Sequence, residues 1–68
     1  MNINESIMNS ASLVGDLSEK TIKSITNVVT TVASQTTYSL KEVADMYYFH
    51  LSAGKTANQA KRALMRLI

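Results

Sequence analysis

Gly54-Lys55-Thr56 is the first stretch of this sequence that could do chemistry, because a glycine followed by Lys and Thr closes the loops that cradle nucleotide phosphates. Such a loop also needs a first glycine five positions earlier and a buried strand leading into it. Phe49 stands at that position, and the residues before Gly54 carry helical apolar spacing. A nest of backbone N–H groups cannot form on such a segment. The tripeptide is therefore read as punctuation, with Gly54 taking a left-handed helix end and Thr56 capping the helix that follows.

Other reactive groups are few. His50 is the only side chain with a near-neutral pKa, and a nucleophile needs both an adjacent base and a group that orients it. Glu42 and Asp45, three apart on a helix, are the nearest thing to paired carboxylates. The chain has no Cys, which removes disulfides and thiolate metal sites, and one His cannot build an imidazole cluster. The expectation is a non-enzymatic protein with no catalytic residue, no metal and no cofactor.

Binding chemistry is better represented. Lys55, Lys61, Arg62 and Arg66 fall in the last fourteen residues, which hold no acid, whereas residues 1–54 are two charges negative. At 100° per residue Lys55, Asn58, Gln59, Arg62 and Arg66 share the outer side of a C-terminal helix, with Lys61 to one side. Cations one turn apart, with an Asn and a Gln, can hold phosphates and reach base edges. The same side chains also suit a solvated helix face whose cations favour the C-terminal dipole. A helix-turn-helix alignment with Gly54 at the turn is poor, since His50 and Lys55 occupy the places that want a small and an apolar residue. Within "MYYFH", Phe49 falls beside Glu42 and Asp45, away from the apolar stripe, and with Met46 it is a candidate partner anchor. His50 and Tyr48 border that stripe, and Tyr47 lies within it.

Positioning these side chains falls to helices. Pro is absent and only Gly15 and Gly54 occur, so each glycine is expected to end an element. Capping-box spacings recur in Asn2 with Glu5, Asp16 with Glu19, Ser39 with Glu42, and Thr56 with Gln59. They predict four helices. The first, Ile3 to Val14, carries a stripe of Ile3, Ile7, Ala11 and Val14 with Met8 beside it. The second, Leu17 to Ser34, aligns Ile22, Ile25, Val28, Val29, Val32 and Ala33, although "TNVVTTV" is rich in β-branched residues that favour strands. Its valines do not alternate with period two, and a lone strand would have no partner, so a helix stabilised by burial is expected.

After a polar linker from Gln35 to Tyr38, the third helix, Leu40 to Ser52, sets Leu40, Val43, Ala44, Tyr47 and Leu51 inward. The fourth, Ala57 to Leu67, turns Ala57, Ala60, Ala63, Leu64 and Leu67 inward, and its alanines let a neighbouring helix approach closely. Residues 1–68 thus form a single small all-α domain, a bundle of three to four short helices with a C-terminal helical hairpin.

A chain of 68 residues buries only about 60% of its unfolded surface, so help from self-association or a partner is expected. Ile22, Ile25, Val29 and Val32 occupy heptad positions that suit a homo-oligomer. The leading expectation is a small regulator, inhibitor or assembly adaptor, of the compact kind bacteria and their phages encode, that binds a protein through Met46, Phe49, Asn58, Gln59, Arg62 and Arg66. The alternative is a nucleic-acid-binding module using Lys55, Asn58, Gln59, Lys61, Arg62 and Arg66. A membrane role ranks third, because the second helix has a Ser/Thr-rich polar face but no Trp or Phe to sit at an interface. A signal peptide is not visible, and the Cys-free composition fits a reducing cytoplasm.

Overall fold

The computed structural model describes residues Asn2–Ile68, which contain four α-helices and no strand: α1 (Ile3–Val14), α2 (Glu19–Ser34), α3 (Leu40–Ser52) and α4 (Ala57–Met65). The local signals at each end explain the boundaries. Asn2 accepts the Glu5 N–H at 2.8 Å to start α1. Gly15, at φ 85°, ends it, with the Gly15 N–H donating to Ser12 and the Asp16 N–H to Ala11, which satisfies the last carbonyls of the helix. Gly54, at φ 91°, ends α3 in the same way, through Gly54 N–H to Leu51 and Lys55 N–H to His50. Reciprocal capping boxes start α3 at Ser39 with Glu42 and α4 at Thr56 with Gln59.

The start of α2 differs from expectation. Asp16 accepts from the Ser18 N–H and the Thr21 hydroxyl, and Ser18 rather than Asp16 caps the helix by accepting the Thr21 N–H. The short Asp16 side chain closes a turn onto its own chain two residues on, so the helix begins at Glu19 instead of Leu17. Glu19 is thereby left to pair with Lys23 at 3.1 Å.

The β-branched run is helical throughout. Thr26, Thr30 and Ser34 donate their hydroxyls to the carbonyls of Ile22, Thr26 and Thr31, so the polar face of α2 satisfies itself within the preceding turn. Its apolar face buries Ile25, Val29 and Val32, with Ile22, Val28 and Ala33 packed against them.

That face meets the rest of the core, which comprises Ile7 and Ala11 from α1, Val43, Ala44, Tyr47 and Leu51 from α3, and Ala60 and Leu64 from α4. The α1–α3 pair is the most extensive packing, and α2 lies against each of the other three helices. The four form one body with a Cα radius of gyration of 10.5 Å.

Three inward assignments fail. Val14, Leu40 and Leu67 are exposed because each lies at or beyond a helix end, past the reach of the neighbouring helices, and α4 itself stops at Met65. Met8, beside the expected α1 stripe, is exposed, because the buried face keeps Ile7 and Ala11 but extends on the opposite side to Ser6 and Ser10, both at 0% exposure. Small side chains on that face permit a close approach of α3. Ser6 donates its hydroxyl to the Asp45 carboxylate across the α1–α3 interface, whereas the Ser10 hydroxyl has no partner.

Candidate functional site

The glycine-lysine-threonine segment is the joint of the α3–α4 hairpin. Its backbone N–H groups are committed, that of Gly54 to Leu51, that of Lys55 to His50 and that of Thr56 to the Gln59 side chain at 2.9 Å. No cradle of free donors remains for a phosphate. Lys55 turns back onto His50, with 3.0 Å between Nζ and Nδ1, so the imidazole is held neutral with the ammonium donating to it. Partial burial, followed by the nearby Lys55 charge, pulls the His50 pKa below the usual imidazole value.

The two carboxylates of α3 hold structure. Glu42 accepts the Ser39 N–H in its capping box at 2.9 Å. Asp45 accepts from Lys41 at 2.8 Å and from Ser6, and these two hydrogen bonds hold its carboxyl below the ordinary range. No group of three or more His, Cys, Asp or Glu among the described residues could hold a metal ion.

The candidate binding residues separate onto three surfaces. On α3, Phe49 is 75% exposed, diametrically opposite the core stripe of that helix. Met46 does not share its position, since it packs part-buried against the core. On the outer side of α4, Lys55, Gln59, Arg62 and Arg66 line one shallow depression with Ala63 at its base. From Lys55 to Arg66 this stripe spans about 16 Å at helical rise. Arg62 and Arg66 make no ion pair among the described residues, and no carboxylate lines the depression.

Asn58 and Lys61 face elsewhere, into a groove between α2 and α4 whose walls include Asn27, Val28, Tyr47 and Met65. Periodicity on one helix had grouped Asn58 with its neighbour Gln59, but the packing of α2 beside α4 puts the two on different sides of a ridge. Nothing in the sequence marked the groove, because its α2 wall is 30 residues away in the chain; Tyr47, Asn27 and Asn58 meet only through tertiary packing. Burial raises the Tyr47 pKa above the ordinary phenol value.

No helix among the described residues is long and apolar enough to cross a membrane. No family model, curated protein or solved structure matches the chain.

Proposed function

We propose that this chain is a non-enzymatic, cytoplasmic protein-interaction factor, a regulator, inhibitor or assembly adaptor of bacterial or phage type, that docks a protein partner through the outer surface of its α3–α4 hairpin. The observation that carries this reading is Phe49. It is the only phenylalanine, and it stands 75% exposed on α3, opposite that helix's buried face. An aromatic held so is a suitable central anchor, because its ring buries a large apolar area at low conformational cost. Gln59, Arg62 and Arg66 lie on a separate face of the same hairpin, Met46 packs part-buried against the core, and Asn58 borders the α2–α4 groove, so a partner that uses all of them must reach across more than one surface.

The test is a pull-down from the native host with and without nuclease, comparing the wild type with Phe49→Ala. A stoichiometric protein that survives nuclease and is lost with Phe49→Ala supports the reading. Retention of that protein by the variant rejects Phe49 as the anchor.

A second reading has its own observation, the acid-free stripe of Lys55, Arg62 and Arg66 with Gln59 between them. Turn-by-turn cations suit the phosphates of a nucleic-acid backbone. If these three neutralise three phosphates of a duplex, log affinity falls with log salt at a slope of about −2.7, and Arg62→Ala with Arg66→Ala flattens it to about −0.9. Duplex binding that is undetectable at low salt removes this reading. Lys61 and Asn58, in the groove, stand apart from the stripe.

A further inference from the structure

Lys55 belongs to two places at once. It lines the depression on the outer side of α4 with Gln59, Arg62 and Arg66, and its ammonium also stands 3.0 Å from Nδ1 of His50, in the last turn of α3. A neutral ring offers a lone pair at that nitrogen, and the ammonium donates to it. One cation of the stripe is thereby drawn toward α3.

The contact depends on the charge of the ring. An imidazolium carries N–H groups at both nitrogens and has no acceptor for an ammonium, so a proton on His50 turns the hydrogen bond into a like-charge repulsion. Nothing else compensates it. The helices α1, α2 and α4 all pack against α3, yet Lys55 is the only charged group from any of them or their connections that acts on the ring. The carboxylates of α3 itself are engaged elsewhere, Glu42 in its capping box and Asp45 with Lys41 and Ser6. The depression holds no carboxylate to receive the released ammonium, and an anion laid along Arg62 and Arg66 supplies one.

We propose that His50 gates the basic stripe: a proton on its ring turns the Lys55 ammonium out to join Arg62 and Arg66 on a row of phosphates, and those phosphates in turn draw a proton onto the ring. The inference rests on the nucleic-acid reading of the stripe. Binding tightens in acid, with a proton taken up from solvent, and linkage makes the coupling reciprocal.

The experiment titrates the full chain with a short, fluorescently labelled DNA duplex, by anisotropy, over a range of salt at about pH 7.5 and about pH 5. His50 is the only His and Cys is absent, so this ring is the one side chain that titrates between those values. Affinity is expected to rise about tenfold on acidification, which corresponds to a His50 midpoint raised by about one unit in the complex. The slope of log affinity against log salt steepens from about −1.8 to about −2.7 as the third cation engages. His50→Gln, whose amide accepts from Lys55 at every pH and never charges, keeps the weaker affinity and the shallower slope throughout. Lys55→Met loses the steepening, and the duplex moves its His50 midpoint, followed by NMR, less than in the wild type. Equal wild-type affinity at the two pH values, or a rise that persists in His50→Gln, overturns the gate and leaves the stripe standing. An undiminished rise in Lys55→Met overturns it as well, because the ring then acts without Lys55. A duplex that binds at neither pH removes the nucleic-acid reading and the gate with it.

Discussion

Ser6 and Ser10 lie one turn apart on α1, both at 0% exposure and both mid-helix, but in opposite states: Ser6 donates to Asp45 and Ser10 donates to nothing. The same substitution should therefore have opposite effects. Ser10→Ala removes a buried polar atom whose desolvation is uncompensated, a defect of about 1–3 kcal/mol, and leaves only a one-atom void. Allowing for that void, the variant gains about 1–2 kcal/mol. In a domain of this size each kcal/mol moves the melting midpoint by about 4–8 °C.

Ser6→Ala instead deletes a hydrogen bond to a charged acceptor. Such bonds contribute about 1.5–3 kcal/mol net, and the lower end applies because Asp45 keeps Lys41 and some water. Helix propensity changes equally in both variants and cancels in their difference, which is about 2.5–3.5 kcal/mol. Urea unfolding followed by far-ultraviolet circular dichroism measures it directly, provided the slope with denaturant is the same in all three proteins. If Ser10→Ala lowers the midpoint as Ser6→Ala does, the Ser10 hydroxyl has a partner and the assignment of a buried defect is wrong.

Gly54→Ala meets no atom within 4 Å of the added Cβ, so its cost is the left-handed backbone alone, about 1–2 kcal/mol by thermal unfolding. The His50 ring titrates below 6.5 because burial and Lys55 disfavour the imidazolium, and Lys55→Met raises that midpoint in an NMR titration without restoring it fully. This group's stabilisation is complete above the unfolded value and is lost as pH falls through the folded one. Asp45, held below 3.8 by Lys41 and Ser6, contributes stability that is present above about pH 5 and disappears as pH falls through its depressed folded value. Asp45→Asn therefore lowers stability at neutral pH and makes acid unfolding shallower, as pH-jump denaturation will read.

Much of the fold was legible because its punctuation is local. Gly15, Gly54, Ser39 and Thr56 act on atoms within a few residues of themselves, so type and spacing sufficed to place three of the four helix starts and both glycine ends. Asp16 misled because two local competitors, an Asp that can close a turn and a Ser that can cap, stand two residues apart. The apolar stripe of α2 was strong enough to override the strand propensity of its valines and threonines.

On α1 the stripe was too sparse to fix the roll of the helix. What fixed it were close-packed Ser6, Ser10 and Ala11 against α3, with Asp45 as a specific partner. The repeat of small residues at four-residue spacing is the signal that would have shown it. Leu40 and Leu67 show the converse limit, since periodicity says which side of a helix is apolar but not where the neighbouring helix ends. The same limit governs the candidate sites: the exposure of Phe49 follows from one helical wheel, whereas the separation of Asn58 from Gln59 depends on where α2 lies.

The joint between α3 and α4 carries a kinetic consequence. Both helix ends are closed there by local bonds, and α3 and α4 pack against each other across the short connection from Ala53 to Thr56. A partner that touches both helices meets a single rigid template. Such a template loses little conformational freedom on association, so encounters are limited by orientation and the lifetime of the complex is set by the contacts themselves.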